Sequence, residues 1–305
     1  MNLTTARRRL LEWYAQRGRK GLPWRVTRDP YFTLVSEFML QQTQVDRVIP
    51  KFEAFVAQFP DVRTLAAASK ADVLRAWRGL GYNSRAVRLQ QVAEAIVARH
   101  GGVVPRDRDA LTALPGIGAY TAAAIRSFAF GLRDAAVDTN VRRIAHRFFA
   151  GLEYPPKATA REVDAWAARL VPARDAHDWN SAMMDLGAEL CTARRPKCLL
   201  CPLRAQCAAA PIDAAALDAA RQAYVARRKR APATPFAATT RFARGRIVDR
   251  LRELPPGQAI SLLDLHGCLQ GVLIDRSVDD LRALVGALER DGLVVRAGER
   301  IALRE

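Results

Sequence analysis

Apolar positions recur at helical spacing along most of the chain. From Leu10 to about Cys207 the pattern is a succession of amphipathic stretches separated by short joints. Pro50–Val56 and Ala71–Trp77 each set apolar residues at i, i+3 and i+4, which predicts helices with one buried face. Ser69 and Asp107 stand where helix N-caps are expected. No run alternates apolar and polar residues for long enough to make a substantial sheet, so the predicted class is mostly α.

The pattern changes after Cys207. Residues 209–236 are rich in Ala, Pro and Arg, carry Arg227-Arg228-Lys229-Arg230, and read as a helix followed by a basic linker. Beyond them lie three short helical patterns, Phe242–Leu251, Leu262–Leu269 and Val278–Leu288. Two strand-like runs then flank a glycine turn between Leu293 and Leu303. Three helices and a terminal hairpin predict a small winged-helix-like domain, a fold that serves protein contacts as well as DNA. The expected division is a main domain at 1–208, a linker at 209–236 and the small domain at 237–305.

Charge narrows the partners. The chain carries 48 Lys and Arg against 31 Asp and Glu, a formal net charge of +17 and a pI near 10.6. A protein this basic usually meets a polyanion, most often nucleic acid, although composition does not separate DNA from RNA or an anionic membrane surface. No run approaches the ~20 consecutive apolar residues of a membrane helix. The segment Met1–Lys20 is broken by Glu12 and has no apolar core, so no secretory signal is expected. The expected compartment is the reducing cytoplasm, at the nucleoid.

In that compartment four cysteines within seventeen residues argue for metal rather than disulfides. Cys191, Cys198, Cys201 and Cys207 are spaced C-x6-C-x2-C-x5-C. Four thiolates suit a [4Fe–4S] cluster or one zinc ion, but zinc sites usually pair two short knuckles and only one is present. Arg194, Arg195 and Lys197 in the same loop are expected to face phosphates. Cys268 stands apart and is expected to be a small buried apolar residue.

Leu114-Pro115-Gly116-Ile117-Gly118 joins two helical patterns, Asp109–Ala113 and Tyr120–Ala129. By itself Gly-x-Gly is an ordinary interhelical turn. The glycines allow a tight bend, and the free N–H groups of the next helix make a phosphate seat. With Leu-Pro before it, the segment resembles the helix-hairpin-helix that grips DNA backbone without reading sequence. Further on, Val137-Asp138-Thr139-Asn140-Val141-Arg142-Arg143 places an aspartate where an N-cap is expected.

Val35-Ser36-Glu37-Phe38-Met39-Leu40-Gln41-Gln42-Thr43-Gln44-Val45 closely resembles the MutY family of adenine DNA glycosylases. The resemblance runs over about residues 7–210 and includes Leu22-Pro23-Trp24-Arg25, Gly79-Leu80-Gly81-Tyr82 and Ala182-Met183-Met184-Asp185-Leu186-Gly187-Ala188. The cysteine spacing resembles the iron–sulfur loop of that family and of endonuclease III. The implied fold is a helix-hairpin-helix DNA glycosylase. A six-helix lobe would face an N-terminal-plus-cluster lobe across a DNA cleft, with the winged-helix-like domain appended. The implied cofactor is a [4Fe–4S] cluster, and the implied partner of this monomer is duplex DNA with adenine opposite 8-oxoguanine or guanine.

The resemblance also implies roles. Glu37 would protonate N7 of the extruded adenine, turning a poor leaving group into a neutral one. Asp138 would support the sugar cation that develops at C1′, while Tyr120 and Asn140 position the carboxylates and the water. Gln42, Leu80 and Tyr82 would fill and wedge the vacated duplex, with Thr43 near the opposite base. Trp24 and Arg25 would line the adenine pocket. Lyase-active relatives carry a lysine where Tyr120 stands, so a monofunctional glycosylase is implied.

Two departures stand out. Ser181 occupies a place where the family commonly has a longer Glu or Gln touching adenine, so a water would have to bridge. The usual C-terminal Nudix-like domain is replaced by the smaller one. Two other readings remain: a thymine or uracil mismatch glycosylase, and a non-catalytic DNA-binding regulator. Glu37 and Gln41-Gln42-Thr43 stand against the first, because related G:T glycosylases lack the acid. The pair Glu37 and Asp138 stands against the second, because carboxylates beside phosphates only weaken a pure binder.

Overall fold

The computed structural model describes residues 2–227, 234–273 and 276–305, so Arg228, Lys229 and Arg230 of the basic run lie outside the described residues. The chain is mostly helical, and its contacts divide it into two units. The first comprises Met1–Leu34, Arg106–Ala113 and Ile117–Ala231; the second comprises Val35–Pro105, Leu114–Gly116 and Pro232–Glu305. The C-terminal segment therefore belongs to the same unit as residues 35–105. The helix Ala214–Ala226, within the expected linker, belongs to the first unit.

In the first unit the helices Leu3–Arg17, Thr139–Ala150, Ala160–Leu170 and Ala176–Glu189 bury Leu10, Ile144, Phe148, Val163, Trp179 and Leu186 in one apolar core. Burial at roughly 25 cal/mol per Å² of apolar surface is what holds such helices together. Gly187 sets how closely two of them approach. A Cβ there would lie 2.6 Å from Cβ of Asn140, so only glycine lets the helix Ala176–Glu189 lie against the start of Thr139–Ala150.

In the second unit the helices Val45–Gln58, Val62–Ala67, Lys70–Ala76 and Ser84–His100 surround Phe52, Phe55, Leu65, Leu74, Trp77 and Leu89. Phe55 meets Trp77 edge-on at 5.9 Å. Both expected caps are present: Ser69 Oγ accepts from the Asp72 N–H at 3.1 Å, and Asp107 Oδ1 accepts from Asp109 and Ala110. The helix containing Pro50–Val56 extends back to Val45, leaving Pro50 inside it at the cost of one backbone hydrogen bond.

The C-terminal segment has the helices Thr240–Arg252, Leu262–Leu269 and Val278–Arg290, followed by the antiparallel strands Val294–Ala297 and Arg300–Leu303. A two-residue strand, Ile260–Ser261, pairs on the other side of Arg300–Leu303 and makes the sheet three-stranded. Such a short strand leaves no periodicity to read. The expectation for Cys268 is overturned, because this residue is exposed. The buried stripe of its helix is Leu262, Leu265 and Leu269, and Cys268 projects to one side of it. No helix among the described residues is long and apolar enough to cross a membrane.

Candidate active site

Asp138 is the N-cap of the helix Thr139–Ala150. Its Oδ1 accepts from the Val141 N–H at 2.7 Å and its Oδ2 from Asn140 Nδ2 at 2.9 Å. The carboxylate thus sits at the positive end of a helix with both oxygens oriented. Asn140 is fixed in turn by Arg143, whose Nη2 donates to Asn140 Oδ1 and to the Gly187 carbonyl, both at 2.8 Å. Arg143 Nε donates to the carbonyl of Cys191 at 2.8 Å, so one guanidinium ties the aspartate's neighbour to the first cysteine of the loop.

Tyr120, the second residue of the helix Ala119–Ala124, is half-buried. Trp24 is 8 % exposed. Arg25 is held by Asp185, at 2.9 Å from its Oδ2, and Asp185 also accepts from the backbone and guanidinium of Arg19. Burial pushes the Asp185 carboxyl up, but the hydrogen bonds and charge of Arg25 and the hydrogen bonds of Arg19 outweigh it and hold it below its ordinary range. Arg25 is therefore half of a buried ion pair whatever else it touches. Ser181 is fully buried, beside Tyr14.

In the second unit Glu37 lies on the helix Pro30–Leu40 and is 7 % exposed, a buried carboxyl rather than a surface charge. Gln42 and Tyr82 both have positive φ, 55° and 46°, the backbone strain that often marks functional turns. Arg85 lies beneath both turns. Its guanidinium donates to the carbonyls of Phe38, Met39, Gln41, Leu80 and Gly81, and to Thr43 Oγ1. Burial pushes its pKa down to about 10. Leu80 is 3 % exposed and borders the same cavity as Gln42, Thr43 and Tyr82. It anchors the turn, and Tyr82, 37 % exposed, projects from it.

In the hairpin Leu114 and Ile117 are buried anchors, while Pro115, Gly116 and Gly118 are exposed. Gly116 has φ +78°, a conformation that only glycine adopts without strain, and Gly118 caps the helix Ala119–Ala124.

Cys191, Cys198, Cys201 and Cys207 are all free and half-buried, and three of them pack on the core of the first unit. Arg147, 1 % exposed, serves two of the sulfurs: its Nη1 donates to Cys191 Sγ at 3.5 Å, and Cys207 Sγ donates to its carbonyl at 3.4 Å. Burial, and then the neighbouring thiols, push Cys201 up to about 12. Among the described residues no group of three or more His, Cys, Asp or Glu is gathered to hold a single metal ion. Arg85, Arg143 and Arg147 carry no sequence signal of their role, since an arginine on an amphipathic helix reads as a solvated charge. Asp185 lies in the segment Ala182–Ala188 and carries no sequence signal beyond that place.

Residues 35–169 match the HhH-GPD superfamily base excision DNA repair protein family. The chain is 41% identical over 296 residues to the adenine DNA glycosylase of Mycolicibacterium smegmatis, covering 95% of each protein. It is 41% identical over 218 residues to the human adenine DNA glycosylase, covering 68% of this chain and 40% of the human protein. Among solved structures it is similar to a thermostable thymine-DNA glycosylase, with TM-score 0.62, 32% identity and coverage of 67% of this chain and 94% of that one. A non-covalent endonuclease III–DNA complex gives TM-score 0.56 at 26% identity, covering 68% of this chain and 95% of that one.

Proposed function

The chain belongs to the adenine DNA glycosylases of the HhH-GPD superfamily of base excision DNA repair proteins, and we propose that the adenine it removes stands opposite 8-oxoguanine or guanine in duplex DNA. The observation that carries the chemistry is the Asp138 carboxylate, held at a helix N-terminus with one oxygen on a backbone N–H and the other on Asn140.

Glu37 protonates N7 of adenine, the glycosidic bond breaks with its electron pair leaving on the neutral base, and a negative Asp138 stabilises the cation at C1′. Water adds to C1′ and loses a proton, giving free adenine and an abasic site. Tyr120 offers no amine, so no imine forms there and the strand stays intact. Gln42 and Tyr82 occupy the gap left by the extruded base, and Leu114–Gly118 grips backbone phosphate.

Cys191, Cys198, Cys201 and Cys207 fit an iron–sulfur cluster. The donor set is four thiols without oxygen or imidazole, and Arg147 sets a buried cation and a hydrogen bond beside the sulfurs. A cluster held by these four thiolates would tie the 191–207 loop together, and the bond-breaking roles stay with Glu37 and Asp138.

The similarity to a thymine-DNA glycosylase supports a second reading, a mismatch thymine or uracil activity. Glu37 and the adenine-glycosylase relatives weigh against it. A gel assay with duplexes carrying A:8-oxoguanine, A:G, T:G and U:G decides. Alkali-labile sites are expected in the first two, and cleavage confined to T:G or U:G overturns the proposal.

A further inference from the structure

Residues 130–138 lead to Asp138 from the single π-helical turn Ile125–Ala129, which continues the hairpin helix, and they form no helix or strand. Buried backbone groups in such a segment have no ladder and must find partners elsewhere. Two side chains of the helix Ala176–Glu189 supply them. Asn180, 2 % exposed, accepts at Oδ1 from the Ala136 N–H at 2.9 Å. Its Nδ2 donates to the carbonyls of Asp134 at 2.9 Å and Ala176 at 2.8 Å. One turn earlier the buried His177 donates from Nδ1 to the Phe128 carbonyl at 2.7 Å. The side chain of Asp134 is held in turn by Arg108 and Arg126.

Ala136 is fully buried and stands two residues before Asp138. Two residues after the aspartate stands Asn140, against which Gly187 of the same helix packs with no room for a Cβ. The helix Ala176–Glu189 therefore grips the chain on both sides of Asp138, by hydrogen bonds before it and by close packing after it. Packing alone does not call for an amide at position 180. An apolar residue of that size would fill the space but would leave the Ala136 N–H and the Asp134 carbonyl without this partner. What the amide adds is a fixed path for the backbone that delivers the aspartate.

We infer that Asn180 is a positioning residue for adenine release, acting through Ala136 to hold the Asp138 carboxylate where the sugar cation develops. The inference rests on the role given to Asp138 above and adds a residue that reaches the reaction only through the backbone. A charge displaced by an ångström meets the cation at the wrong place, and such a displacement can cost about 10²-fold in rate.

The test is a double-substitution cycle on full-length protein, read by single-turnover excision from an A:8-oxoguanine duplex. Asn180→Leu, close in size, should slow excision by about 10²-fold while duplex affinity stays unchanged. Exchange of the Ala136 amide should quicken in the same variant. In an Asp138→Asn background Asn180→Leu should cost nothing further, because the charge it positions is gone. General destabilisation would instead slow both backgrounds equally. Val163→Ala, a cavity in the core of the same unit, must excise at the parent rate wherever it is folded. If Asn180→Leu gives no folded protein, Asn180→Ser, a shorter polar residue, carries the same cycle with the same expected outcome. Parent-like excision by the Asn180 variant overturns the inference, and so does an equal further loss in the Asp138→Asn background. Parent-like excision by Asp138→Asn itself overturns the role of Asp138 instead.

Discussion

Asn140 orients Asp138 through a single hydrogen bond, Nδ2 to Oδ2 at 2.9 Å, and is itself held by Arg143. The carboxylate is thereby aimed by the helix it caps and by a neighbour that cannot turn away. Substitution at Asp138 can then separate charge from cap.

Asp138→Asn keeps a good N-cap residue, so the helix and duplex binding should survive. The negative charge needed in the transition state is lost, and single-turnover excision should fall by at least ~10²-fold. Parent-like turnover in a rapid-quench assay removes Asp138 from the chemistry.

Glu37→Gln should stop release of ordinary adenine, because an amide cannot protonate N7. A purine that is already a good leaving group should be released far less slowly. Equal slowing of both substrates contradicts the acid role.

The product should be an intact strand with an abasic site, nicked only by hot alkali. Borohydride should trap little adduct, and strong trapping that survives substitution of nearby lysines contradicts the role read from Tyr120.

Protein purified without oxygen should be yellow-brown and hold about four irons per chain. Arg147→Leu should lower iron retention, measured by metal analysis during dialysis. One zinc and no iron in the parent sinks the cluster.

Asp185→Asn strands the buried Arg25 and should cost about 3–5 kcal/mol in denaturant unfolding. The pH sign follows from the lowered carboxyl. Its contribution is present above the ordinary value of 3.8 and is lost as pH falls toward the folded value. Parent and variant stabilities should therefore converge in acid, and a constant gap below pH 4 contradicts the pairing.

Much of this was legible in the sequence because the signals were local. Ser69 and Asp107 cap their helices as read, and the three C-terminal helices and the hairpin fall where their patterns lie. Asp138 was visible both as a cap and, by resemblance, as a candidate catalyst. What stayed hidden depends on long-range packing. Arg85 reaches carbonyls on a preceding helix and turn, and Arg143 reaches Gly187 and Cys191, partners that no periodicity encodes. The exposure of Cys268 and the full burial of Ser181 were invisible for the same reason. The joining of the C-terminal segment to the Tyr82 turn through Arg241 and Arg252 had no signal at all.

The clamp made by Arg85 bears on the thermodynamics of opening a duplex. A floppy turn ordered only on meeting DNA would surrender about 1–2 kcal/mol of affinity for each residue fixed. Here the turns that carry Gln42 and Tyr82 are held before any encounter by one side chain, through five neighbouring backbone carbonyls and the Thr43 hydroxyl. The entropy loss belongs to folding rather than to binding, so the free energy of association is left for unstacking a base.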